Sequence, residues 1–95
     1  MIYEVTFILR TDISEEQQQE IITEVKKILS DGKSSILLEQ NWGKKTLAYE
    51  IEKQKEGLYR FIRFSTENSQ VPQELTTFFR NHRDVVLRFL IIRLD

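Results

Sequence analysis

An α+β sandwich, a four-stranded antiparallel sheet with two helices on one face, is predicted here by three observations. Both ends of the chain read as strands, with Tyr3, Val5, Phe7 and Leu9 alternating at the start and a largely apolar run from Val85 to Leu94 at the end. Two internal segments carry apolar residues at helical spacing behind recognisable start signals. Between the helices, two strand-like runs are joined by a short polar segment, which makes a hairpin. The order is βαββαβ.

In the first strand, residues 2–10, Ile2, Glu4, Thr6, Ile8 and Arg10 oppose the apolar set, so one face is well buried. Ser14 followed by Glu15, Glu16 and Gln17 has the form of a capping box. Ile21, Ile22, Val25, Ile28 and Leu29 then recur at helical spacing, and Asp31-Gly32 ends the helix. The long second strand, Ser35 to Glu52, changes phase: Ile36, Leu38 and Trp42 are even-numbered, whereas Leu47, Tyr49 and Ile51 are odd-numbered. One strand keeps its apolar side inward through such a change only by inserting a residue, and Gly43 is the natural place for that bulge. Lys53-Gln54-Lys55-Glu56-Gly57 is read as the turn into a third strand, Leu58 to Phe64. Pro72 fits only a first helical turn, so the second helix starts near Ser69 to Val71 and presents Val71, Leu75, Phe78 and Phe79 inward. Right-handed crossovers then favour a ferredoxin-like split βαβ sandwich with strand order 4-1-3-2 and one open sheet face.

The 95 residues suffice for one domain, 1–95, with a core of a dozen or so large apolar side chains. The absence of cysteine excludes disulfides and thiolate metal sites, and the single histidine excludes histidine clusters. No run approaches the roughly 20 apolar residues of a membrane span, and no basic-then-apolar leader opens the chain, so a soluble, cytosolic or organellar protein is expected. A net charge of −1 argues against strong non-specific phosphate binding. Its distribution argues otherwise. Asp12, Glu15, Glu16, Glu20 and Glu24 gather on the first helix and its approach, whereas Lys44, Lys45, Arg60, Arg63, Arg88 and Arg93 lie on strands. A basic sheet side opposite an acidic helical side is the expectation.

Tyr59, Phe61 and Arg63 alternate with Leu58, Arg60, Ile62 and Phe64, which puts the first set on the open face if Ile62 and Phe64 face the helices. Aromatics there can stack bases or cover a protein partner, and Arg63 beside them can hold phosphate. The segment lacks the glycine-containing motif of base-stacking RNA modules, which weighs toward Tyr59 and Phe61 covering a partner or filling the sheet's second face, while Trp42 either packs against the hairpin, the favoured reading, or caps a partner's surface. Lys44-Lys45 reads either as a solvated edge or as a phosphate contact. Arg88 interrupts an apolar strand and needs solvent, phosphate or a carboxylate, for which Glu4 is the neighbouring choice. Arg93 is a weaker candidate of the same kind. His82 has no nucleophile or second ligand at useful spacing, and no glycine-rich phosphate loop follows the first strand, so neither an enzyme nor a bound metal or cofactor is expected.

The segment Trp42-Gly43-Lys44-Lys45-Thr46-Leu47-Ala48-Tyr49-Glu50-Ile51 resembles the signature of the bacterial-type small-subunit ribosomal protein S-six family: Trp-Gly, two basic residues, a spacer, then Leu-Ala-Tyr-x-Ile. Glu50 stands where a proline is common. Ile2-Tyr3-Glu4-Val5, Glu56-Gly57-Leu58-Tyr59 and Asp84-Val85-Val86-Leu87-Arg88-Phe89 fall in the same order, so the resemblance covers essentially the whole chain. It implies a structural protein of a bacterial or organellar ribosome that binds small-subunit ribosomal RNA together with ribosomal protein S-eighteen. By position, Lys44 and Lys45 match the family's basic pair and Arg88 its arginine in the last strand. A free-standing single-stranded RNA binder or a protein-interaction module using the open face is the alternative.

Overall fold

Alternation in Ile2–Leu9, strand β1, decides where the core lies: Val5, Phe7 and Leu9 are almost wholly buried while Glu4, Thr6 and Ile8 face the other way. The computed structural model describes residues 1–95 and continues with α1 (Glu15–Asp31), β2 (Ser35–Ile51), β3 (Gln54–Ser65), α2 (Val71–Arg80) and β4 (Val86–Arg93). The strands form one antiparallel sheet in the order β2-β3-β1-β4, the predicted order read from the other edge. Val5 lies opposite Ile62 on one side and Ile91 on the other, so β1 is central and its inward face is continued by Phe64, Ile62 and Leu58 of β3 and by Phe89 and Ile91 of β4.

Both helices cover that face. Ile21, Ile22, Val25 and Leu29 of α1 and Val71, Leu75 and Phe79 of α2 complete the core, with Ile28 and Phe78 packed against it. Phe79 links the layers, its ring centroid 5.2 Å from Phe7 and 5.0 Å from Phe89. Each such side chain contributes about 1.5–3 kcal/mol by leaving water. The capping box forms as read: the Gln17 amide donates to Ser14 Oγ at 3.1 Å, and the Ser14 amide donates to Gln17 Oε1 at 3.0 Å.

The β2–β3 hairpin departs from the sequence reading in three ways. Its turn is Glu52-Lys53, both in the left-handed region at φ 50° and 62°, so β3 begins at Gln54 and, of the predicted turn segment, all but Lys53 is already strand. Two-residue turns of this kind ordinarily carry Asn-Gly or Asp-Gly, and Glu-Lys gave no such signal. A second bulge lies at Leu37, since Ile36 is opposite Phe64 and Leu38 opposite Arg63. Ile36 therefore faces the helix side and Leu38 the open side, where the sequence placed them together. The Gly43 bulge is present: Asn41 is opposite Arg60 and Gly43 opposite Tyr59, with Trp42 the extra residue and Gly43 at φ 76°. The apolar side it preserves is the open face, not the helix-covered one.

Candidate nucleic-acid and partner interface

The open face is built from the outward positions of all four strands. Glu4, Thr6 and Ile8 run down its middle, flanked by Arg63, Phe61 and Tyr59 of β3 and by Ile92, Leu90 and Arg88 of β4. Leu38 of β2 joins them opposite Arg63, and the bulged Trp42 lays its ring over Phe61, with centroids 5.1 Å apart and planes 15° from parallel. Trp42 Nε1 donates to Gln40 Oε1 at 2.9 Å, which holds the indole in that pose. Lys45 Nζ stands 5.3 Å from the Trp42 ring and 5.8 Å from the Tyr59 ring. The result is a ledge of aromatic rings with one ammonium among them.

The predicted site residues divide. Lys44 and Lys45, adjacent in a strand, point to opposite faces: Lys45 is opposite Gly57 on the open side and Lys44 opposite Leu58 on the helix side. Both are exposed. Arg88 is exposed on the open face opposite Ile8, too far along the strand to meet Glu4, whose β4 neighbour is Ile92. The suggested Arg88–Glu4 pair is thus replaced by Arg63–Glu4, in which Nε and Nη2 of Arg63 both donate to Glu4 Oε2 at 2.9 and 2.7 Å. Register explains this, because Glu4 lies directly opposite Arg63. Arg93 shares the helix-side parity of Tyr3 and donates to Asp95 Oδ1 at 3.3 Å.

The expected basic sheet side is accordingly split between faces. Arg60 faces the helices and joins a bridge in which Glu39 accepts from Arg60 Nη2 at 3.5 Å and from Lys26 Nζ of α1 at 2.9 Å. Lys45, Arg63 and Arg88 remain on the open face. Phe61, read as an exposed aromatic, is only 7% exposed because Trp42 roofs it, whereas Trp42 itself is 40% exposed. Trp42 is therefore the ring accessible from outside, and base stacking on Phe61 is blocked in this arrangement. The bulge that makes the roof was visible in the sequence; the direction taken by the extra side chain was not.

Tyr49 shares the parity of Leu47 and Ile51, which predicts an inward position, yet it stands outside. Its ring is 63% exposed, and the Arg88 guanidinium lies 5.7 Å from its centroid. The hairpin register accounts for this, and nothing in the sequence signalled it. Between the pairs Thr46–Glu56 and Ile51–Gln54, β2 has residues 47–50 and β3 only Lys55. That surplus lets the β2 arm bend over the sheet end toward β4. Leu47 anchors it, buried beside Gly57, where an added Cβ would overlap Ile8 Cγ2 and crowd Leu47 Cδ2.

The family described as Ribosomal protein S6 matches residues 2–93. Among relatives, the small ribosomal subunit protein bS6 of Thermoanaerobacter pseudethanolicus is 40% identical over 93 residues, 98% of this chain and 96% of that one. Its counterpart from Lactobacillus johnsonii is 37% identical over 98% of this chain and 94% of its own length. The crystal structure of 30S ribosomal protein S6 from Thermotoga maritima superposes with a TM-score of 0.87 at 34% identity, over 98% of this chain and 86% of that one. With the family match, the identities and the fold in agreement over nearly the whole chain, the chain belongs to the ribosomal protein S6 family.

Proposed function

We propose that this protein is a non-catalytic constituent of the small ribosomal subunit that binds small-subunit ribosomal RNA together with ribosomal protein S-eighteen. Family membership across residues 2–93 is the observation that carries this reading. The open face supports it chemically, since Lys45 and Arg88 offer exposed cations there while Trp42, Leu90 and Ile92 leave apolar surface suited to a protein partner. In this reading Lys44, Lys45 and Arg88 contact phosphate, and Trp42 with Tyr59 covers the partner over the buried Phe61. Arg63 and Arg93, each held by a carboxylate, contribute less than Lys45 and Arg88.

Sucrose-gradient sedimentation of a cell lysate tests the proposal. Constant co-migration with small subunits is the expected result. A pool remaining wholly at the top of the gradient would overturn it and return the open face to a free-standing role.

A further inference from the structure

We infer that Tyr49 and Arg88 form a clamp for one unpaired nucleotide of RNA, the base stacking on the exposed ring and the phosphate resting on the guanidinium, with Arg83 as a second cation. The inference rests on the RNA-binding role proposed above and adds a site to it. Three features of the hairpin arm carry it.

Tyr49 is the most exposed of the large apolar and aromatic side chains, at 63%, although it sits in a strand with a nearby hydrophobic anchor. The surplus of residues 47–50 over Lys55 carries the ring from β2, across β3 and β1, to the far edge strand β4. Leu47, 8% exposed and seated in the gap left by Gly57, holds the base of the arm. A ring kept in place before binding loses little freedom on binding.

The electrostatics select an anion. Arg88 meets no carboxylate, and its guanidinium covers one side of the Tyr49 ring at 5.7 Å. Arg83 is exposed, lacks an ion pair, and lines with Arg88 a concavity of about 240 Å³ whose other walls are Ile51, Glu52, Val86 and Leu87. Glu52 is the single acidic group there, so the two arginines outnumber it. A guanidinium beside an exposed aromatic face, with a second one across the adjoining concavity, matches a splayed-out nucleotide, which presents a π-face and a phosphate together. A double helix hides its base faces and offers phosphate alone. The apolar surface suited to a protein partner runs from Arg88 along β4 through Leu90, which shares a concavity with Ile8 and Arg88, to Ile92, whereas Tyr49 lines no part of that concavity.

The test uses the full chain with two probes, a short single-stranded oligoadenylate and an RNA duplex of the same length. In NMR titrations of the wild-type protein, the Tyr49 ring protons should shift upfield with the single strand and stay in place with the duplex. Tyr49→Ala should weaken single-strand binding about fivefold or more, while Tyr49→Phe keeps it and duplex binding is unchanged. Unmoved Tyr49 resonances overturn the inference, as does equal loss for both probes, or equal loss in Tyr49→Phe and Tyr49→Ala. So does a defect of Tyr49→Ala confined to association with ribosomal protein S-eighteen, which would assign the ring to the protein partner. Because the wild-type titration needs no variant, a folding defect in Tyr49→Ala leaves the answer intact. Sedimentation of the wild type is scored separately: co-migration with small subunits and a silent Tyr49 would remove the clamp and leave the ribosomal role standing.

Discussion

Arg88 is a residue at which a folding role and the proposed binding role can be told apart. It is exposed on an edge strand, and its only marked contact is the Tyr49 ring at 5.7 Å. Exposed cation–π contacts contribute about 0.5–1 kcal/mol, so Arg88→Ala should lower stability by no more than that in urea unfolding. Its salt dependence of RNA binding, measured with the partner present, should fall by about one counterion. A large stability loss with unchanged RNA binding would remove Arg88 from the interface. Arg10 and Asp12 are a contrasting pair, joined by Nε–Oδ1 and Nη2–Oδ2 hydrogen bonds of 2.9 Å at the exit of β1. The Arg10 hydrogen bond holds the Asp12 carboxyl below its ordinary 3.8. Because the folded value is the lower one, the pair's contribution is present above the ordinary value and is lost as pH falls through the folded one. NMR titration of Asp12 should show this displacement, and Arg10→Ala should return the carboxyl to the ordinary range.

At the scale of the element, β2 is the unusual strand. It contains a bulge at Leu37, a bulge at Trp42 and the surplus at 47–50, and each re-aims side chains that a regular strand would alternate. These interruptions also break up an edge that could otherwise pair with a second sheet. Gly43 makes the middle bulge possible by taking φ 76°, and an added Cβ would find nothing within 4 Å. Gly43→Ala should therefore cost only backbone strain, about 1–2 kcal/mol, read as a lower urea midpoint with an unchanged slope. It should also loosen the Trp42–Phe61 stack, visible as a change in tryptophan fluorescence. An unchanged midpoint would mean that the bulge does not depend on the left-handed residue.

Taken as a whole, the molecule separates charge only in part, since Lys44, Arg60 and Arg93 share the helix-side parity. The exposed surface of α1 carries Glu16, Glu20 and Glu24, while Lys45 and Arg88 stand on the open face across the sheet. With a net charge of −1 and two of the open-face or edge arginines, Arg63 and Arg93, already held by Glu4 and Asp95, few cations are free for phosphate. The isolated protein should accordingly bind a small-subunit RNA fragment weakly at physiological salt, and ribosomal protein S-eighteen should supply much of the affinity. Filter binding with and without the partner checks this. Tight binding by the protein alone would contradict it.

Local periodicity determined the element order and the inward stripes of both helices, because each rests on near-neighbour spacing that survives in any compact fold, and the handedness of crossovers then placed β1 in the middle of the sheet. Val5, Phe7, Leu9, Val25, Leu75 and Phe79 were legible as core for that reason. The Gly43 bulge was legible too, since a change of parity leaves a trace in the sequence. Only the tertiary structure decided which cations are free. Whether Glu4 meets Arg63 or Arg88 depends on the register between strands distant in sequence, and no local pattern encodes it. The same holds for Trp42 covering Phe61 and for Tyr49 reaching Arg88, where a few unpaired residues in one strand move a ring across two others. Spacing determines which face a side chain prefers, and the pairing of strands determines what it finds there.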